Sequence, residues 1–181
     1  MRVGTVSVRR QAFLLARHPD LRFEPLRGNV ETRIEKVRNG QIDVTLLALA
    51  GLKRLKLADE ADEILEPDMM LPAAGQGAVG IQTREGDSAM QEILEPISCE
   101  RTLLRVAAER GVLEALDGSC HTPVGAYAEW IGGDDVMRLR GWHAADNGSA
   151  IKKEDQKREI RNIDEAAAFG QEIGGVIKEL S

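Results

Sequence analysis

Residues 2 to 55 alternate between short strand-like and helix-like runs, and that rhythm restricts the first third to one kind of architecture. Arg2 to Val8 reads as a strand and Ser7 to His18 as a helix ended by Pro19. Leu21 to Leu26 is a second strand, and Val30 to Arg38 a helix closed by Asn39-Gly40. Ile42 to Ala48 is an apolar, β-branched strand followed by a short helix over Ala50 to Leu55. Strands separated by helix-length crossovers must run parallel, with helices on the faces of their sheet. About three strands are few for such a sheet. The sheet is therefore expected to be incomplete, with the rest supplied by chain outside these 181 residues.

Beyond residue 58 the pattern changes. Asp59 to Met70 is acidic and irregular, and Leu71-Pro72-Ala73-Ala74-Gly75-Gln76-Gly77-Ala78 reads as a crossover or hinge. Val79 to Thr83 is expected to be a strand and Ser88 to Leu94 a short helix, with a boundary near Pro96. Ser98 to Leu116 has the strongest helical pattern, with Ser98 at its start and Leu103, Leu104, Val106, Ala107, Val112, Leu113 and Leu116 as its apolar side. Three strands follow, over Val124 to Trp130, Val136 to Trp142 and Ala150 to Lys153. A last helix spans Asp164 to Leu180, weakened by Gly170, Gly174 and Gly175. A helix, three meandering strands and a helix make a small α+β domain with a three-stranded antiparallel sheet.

The net charge of −6 excludes a general nucleic-acid binder, yet it hides an asymmetry. Residues 1–56 hold twelve Lys and Arg against five Asp and Glu, while the remainder is strongly acidic. A basic first third in an acidic protein indicates a local anion site or, equally, solvated helix faces. No run is long and apolar enough to cross a membrane, and the amino terminus has no secretory apolar stretch. Two cysteines cannot build a disulfide framework, so a reduced, cytoplasmic setting is expected.

Arg9 and Arg10 fall in the first turn of a helix with Ser7 as N-cap, where the helix dipole disfavours cations. An anionic ligand docking there gives them a purpose; otherwise they point into solvent. Arg27-Gly28-Asn29 and Arg33 repeat the arrangement at the next strand–helix junction, with Asn29 as cap. Both junctions lie at the carboxyl edge of the sheet, where open α/β sheets bind ligands. Lys53 and Arg54 end the third helix, where positive charge simply complements the dipole, and only the other arginines make Arg54 a candidate. Cys120 sits in the loop Asp117-Gly118-Ser119-Cys120-His121-Thr122-Pro123. It is either an exposed nucleophile or attachment point, or an inert buried thiol. Cys99 is read as unreactive, and a Cys120–His121 hydrolase is disfavoured because adjacent loop residues seldom converge on one point. The scattered cysteines and histidines give no metal-ligand pattern.

Five segments in order resemble the porphobilinogen deaminase (hydroxymethylbilane synthase) family. They are Val3 to Gln11, Leu26 to Arg33, Ala48 to Leu55, Leu71 to Gly80 and Leu116 to Ala128. Val6 departs from the family's usual Ser, and the match loosens past Ala128. The resemblance implies a periplasmic-binding-protein-like parallel-sheet domain, incomplete here, followed by a small α+β domain. It places most of the second, anion-binding domain in residues 1–77. Residues 78–95 become a return segment of the first domain, and residues 96–181 the carboxyl-terminal domain with the cofactor loop.

The resemblance further implies a dipyrromethane primer joined by a thioether to Cys120. It implies stepwise condensation of four porphobilinogen molecules with loss of ammonia, giving hydroxymethylbilane on the way to haem. Arg9, Arg10, Arg27, Arg33 and Arg54 match positions that hold the acetate and propionate groups of the pyrroles, and Lys53 lends support. The family's catalytic aspartate lies upstream of the first motif, so no catalytic residue is assigned here. The chain alone is expected to be inactive and to lack the primer. Its partners are porphobilinogen and the growing polypyrrole, with neither nucleic acid nor membrane; the family is typically monomeric, and exposed apolar surface gives this chain a route to self-association. The alternative is a non-catalytic anion-binding α/β module.

Overall fold

The computed structural model describes residues 1–118, 122–132, 135–145, 147–149 and 151–179. Its first part is a parallel sheet built from β1 (Arg2–Gly4), β2 (Arg22–Glu24) and β3 (Val44–Thr45), in the order β2-β1-β3. Val3 pairs with Phe23 on one side and Val44 on the other. Helices α1 (Val8–Leu15), α2 (Val30–Arg38) and α3 (Leu49–Arg54) each follow one strand, as the alternation requires. The strands are shorter than the sequence suggests. β1 stops at Gly4 because Thr5 Oγ1 accepts the Ser7 N–H at 3.1 Å and turns the chain into α1. Gly4 is required here: a Cβ would lie 2.5 Å from Ile42 Cδ1 and 2.9 Å from Leu26 Cδ2, both buried core atoms.

The last part is an antiparallel sheet of β4 (Val124–Trp130), β5 (Val136–His143) and β6 (Lys152–Glu159), in that order. It packs against α5 (Glu100–Ala115) and α6 (Ile163–Glu179), while α4 (Ser88–Leu94) lies before them. Alternation divides β5 cleanly. Met137 and Leu139 enter the core with Val112, Phe169, Ile173 and Ile177, and a Cβ on Gly141 would meet the same helices. Arg138, Arg140 and Trp142 point to the opposite face, where Trp142 packs with Phe13, Ala12, Leu71 and Ala144. That second cluster joins the α/β part to the sheet.

Several expectations are corrected. Val79 to Thr83 forms no strand: Val79 is 89% exposed, Ile81 59%, and no described strand pairs with them. An unpaired strand has no ladder to hold it extended. The third antiparallel strand is 152–159 rather than 150–153, because as an edge strand with no buried residue its Lys-Lys-Glu-Asp-Gln-Lys-Arg-Glu sequence shows no apolar alternation. Cys99 rather than Ser98 occupies the N-cap position of α5, without a side-chain capping bond, while Ser98 Oγ donates back to Leu94 O at 3.0 Å. Leu103 is 54% exposed, and the buried side of α5 instead runs through Leu104, Ala108, Glu109, Gly111 and Val112. Two of the glycines read as weakening α6 serve close packing on α5: a Cβ on Gly170 would sit 2.0 Å from Ala108 O, and one on Gly174 2.7 Å from Val112 O.

Candidate functional site

The carboxyl edge of the parallel sheet collects the starts of α1, α2 and α3. Ser7 caps α1, its hydroxyl accepting the Arg10 N–H at 3.4 Å. Asn29 caps α2, accepting the Thr32 N–H at 2.8 Å. Gly28 before it has φ +124°, a conformation that suits glycine, and its carbonyl accepts Arg33 Nε at 2.9 Å. These local bonds aim two helix starts and their arginines at one edge.

Arg9 is the most enclosed of the five candidates, 8% exposed. Its Nη1 donates to the Leu71 carbonyl. Arg10, half-buried, crosses the edge to donate from Nη1 to Leu46 O at 2.6 Å, in the turn after β3. Burial pushes the Arg9 guanidinium down to about 10, helped by the charge of Arg10. Burial also lowers Arg10, helped by the charge of Arg33. Arg9, Arg10 and Arg33 thus form a chain of mutually repelling cations. Arg27 lies on the same β2–α2 turn but is exposed, and Arg54 and Lys53 are exposed in the last turn of α3. Burial separates the five: Arg9, Arg10 and Arg33 are buried or half-buried, whereas Arg27 and Arg54 are exposed. Cys120, like His121, lies outside the described residues.

Six of the twelve other arginines have carboxylate partners, whereas Arg17, Arg22, Arg84, Arg105 and Arg110 have no ion pair among the described residues. Arg2 pairs with Asp43, Arg38 with Glu60, Arg138 with Asp155, Arg140 with Glu129 and Asp68, Arg158 with Glu172, and Arg161 with Glu159. Among the described residues none of Arg9, Arg10, Arg27, Arg33 or Arg54 has a carboxylate partner. Buried charge without a counter-charge is costly, and guanidiniums bind carboxylates in strong, directional hydrogen bonds. The edge is therefore chemically suited to a ligand bearing more than one carboxylate.

A further functional group escaped the sequence reading. Glu109, 5% exposed on α5, accepts the Gly75 N–H at 2.7 Å and the Ala128 N–H at 2.9 Å. Burial raises its carboxyl above the ordinary range against the pull of those two donors. It was hidden inside a helix judged by its apolar residues; its only trace is a carboxylate one position after Ala108 on the buried side.

Fold and site together define a class: an α/β chain whose parallel-sheet edge gathers uncompensated arginines, fastened to a small α+β domain. Comparison with known proteins agrees. Residues 1–92 match the family model described as porphobilinogen deaminase, dipyromethane cofactor binding domain, and residues 97–179 match porphobilinogen deaminase, C-terminal domain. The porphobilinogen deaminase of Sorangium cellulosum is 44% identical over 98% of this chain, and that of Paraburkholderia phytofirmans 40% identical over 98%. That of Nitrobacter winogradskyi is 44% identical, again over 98%. The chain belongs to the porphobilinogen deaminase family. It spans between 51% and 59% of the length of these relatives.

Proposed function

We propose that this chain forms the carboxylate-gripping edge and cofactor-bearing loop of a cytoplasmic transferase that condenses four porphobilinogen molecules into hydroxymethylbilane with release of ammonia. One observation carries the reading: the buried Arg9 and the half-buried Arg10 and Arg33 stand at one sheet edge, the charge of Arg10 acting on Arg9 and that of Arg33 on Arg10, with no carboxylate partner among the described residues. Each pyrrole of the substrate and of a dipyrromethane primer bears an acetate and a propionate, and this donor set fits them. Arg9, Arg10 and Arg33 hold these groups at the inner edge, and Arg27 and Arg54 hold them at the rim. Cys120 carries the primer through a thioether. When bound, the primer supplies the pyrrole carbon to which the first unit is added.

In this reading residues 1–77 make up most of a periplasmic-binding-protein-like second domain, and residues 96–181 form the domain with the attachment loop. Residues 78–95 return to a first domain that also carries the catalytic aspartate, for which no residue here is a counterpart. The exposure of Val79, Ile81, Met90 and Ile93 supports that assignment. The 181 residues alone make no hydroxymethylbilane. The test is the full-length protein containing this stretch. Its intact mass should exceed the polypeptide's by one dipyrromethane, and Cys120→Ser should remove both the adduct and turnover. An unmodified Cys120 in a fully active enzyme would overturn the proposal, as would hydroxymethylbilane made by residues 1–181 alone.

A further inference from the structure

We infer that Glu109, a buried residue of the α+β domain, is a positioning residue for Arg9 through the strap 71–75; the inference rests on the carboxylate-binding reading of Arg9. The strap passes between the two parts of the molecule and is bonded to both. Leu71 O accepts Arg9 Nη1 from α1. Pro72 O accepts the Ala126 N–H of β4 at 3.1 Å. Gly75 N–H, at the strap's far end, donates to Glu109 Oε2 at 2.7 Å. Glu109 Oε1 meanwhile accepts the Ala128 N–H of the same strand at 2.9 Å.

β4 is an edge strand, so the outward N–H groups of Ala126 and Ala128 need acceptors from outside the sheet. One is met by the strap and the other by the carboxylate that also anchors the strap. Glu109 therefore fixes the strap to the strand with two charge-assisted bonds. No neutral side chain of that shape offers two acceptors to two N–H groups: a glutamine amide turns its own NH2 toward one of them. Arg9 depends on this anchorage because the Leu71 carbonyl is its one hydrogen-bond acceptor among the described residues. A guanidinium oriented by one carbonyl is only as well placed as the backbone bearing that carbonyl. A buried carboxylate in the carboxyl-terminal domain thereby sets the aim of a cation in the α/β part.

The experiment is a double-mutant cycle on steady-state kinetics of the full-length enzyme with porphobilinogen, comparing Glu109→Gln, Arg9→Ala and the double variant. Glu109→Gln should raise KM about three- to tenfold, within the range of coupled neighbours, with kcat per folded molecule little changed. In the Arg9→Ala background the same substitution should leave KM where Arg9→Ala alone has put it. Multiplying KM effects, or an unchanged KM with a smaller folded fraction, would show a merely structural carboxylate and overturn the inference. Wild-type kinetics for Arg9→Ala would overturn the carboxylate-binding reading itself, and the inference with it. Should Glu109→Gln fail to fold, Glu109→Asp keeps the charge but is one methylene too short to reach both N–H groups. It should show a smaller KM rise that again vanishes with Arg9→Ala.

Discussion

The rings of Phe13 and Trp142 pack with centroids 5.4 Å apart and planes tilted by 38°, so the helix that carries Arg9 and Arg10 is seated on the face of the antiparallel sheet. Phe13 is 5% exposed and Trp142 1%. Leu71, the strap residue that accepts Arg9, lies in the same cluster. The cationic edge and the α+β domain thus share one small apolar core.

Removing either ring should loosen that joint. Phe13→Ala is expected to cost about 3–5 kcal/mol, the range for truncating a buried aromatic, because it also removes the surface over which the Arg17 guanidinium lies at 4.1 Å. Urea titration measures the loss. In a Trp130→Phe background the emission of Trp142 should also shift to the red as water reaches it. Unchanged emission would mean that the two rings do not shield each other.

Glycines 170 and 175 should respond in opposite directions. An added Cβ at Gly170 collides with the Ala108 carbonyl, whereas one at Gly175 meets nothing within 4 Å. Gly170→Ala should therefore destabilise by about 1–3 kcal/mol or more, through overpacking. Gly175→Ala should stabilise by roughly 0.5–1 kcal/mol, since an alanine loses less backbone entropy in a helix. Thermal denaturation of the two variants side by side decides it, and equal effects would contradict the close approach of α5 and α6.

These two glycines also show where the sequence was readable. Helix α2 was legible to the residue, because Asn29 starts it by a side-chain bond and Asn39-Gly40 ends it; both signals are local. The parallel direction of the strands in the first sheet followed from crossover length alone, whereas their order β2-β1-β3 did not. Gly170 looked like a defect because its purpose lies on another helix, 62 residues away at Ala108. β6 was misplaced because an edge strand without buried side chains writes no alternation into its residues. At the site, Arg9, Arg10 and Arg33 were visible from strand–helix junctions. That they repel one another, and that Glu109 anchors the strap beside them, depends on distant backbone groups that no spacing encodes.

Cys99 should be more reactive than a free cysteine. Its exposed thiol sits at the N-cap of α5, where Thr102 Oγ1 donates to Sγ at 3.2 Å. The Thr102 hydroxyl, then its backbone N–H, hold the thiol below the ordinary range by stabilising the thiolate. The thiolate is the nucleophile, so its population grows as pH rises through that lowered value. Alkylation of the Cys99 peptide by iodoacetamide, followed by mass spectrometry, should reach half its maximal rate at a lower pH than a model cysteine peptide. Thr102→Val should move the midpoint back up. A midpoint unaffected by Thr102→Val would remove the hydroxyl from the explanation.

The uncompensated arginines make a last prediction, about stability rather than turnover, that needs only the 181-residue chain. Arg10 is half-buried and its guanidinium is depressed by burial and by the charge of Arg33, so the folded state bears an electrostatic cost the unfolded chain does not. Arg33→Gln removes one of the repelling charges and should leave the ligand-free chain as stable as wild type, or more so, although it deletes the bond to Gly28 O. An anion that binds only the folded form should relieve the same cost. Citrate, with three carboxylates, should raise the melting temperature well beyond sodium chloride of equal ionic strength, approaching about 2.7 kcal/mol at a hundredfold excess over its Kd. The rise should shrink in Arg33→Gln and in Arg10→Gln, but not in Arg161→Gln, whose guanidinium is exposed and already paired with Glu159. Equal citrate effects in all four proteins would mean that the edge binds no carboxylates, because only a local site distinguishes Arg10 and Arg33 from a cation elsewhere on the surface.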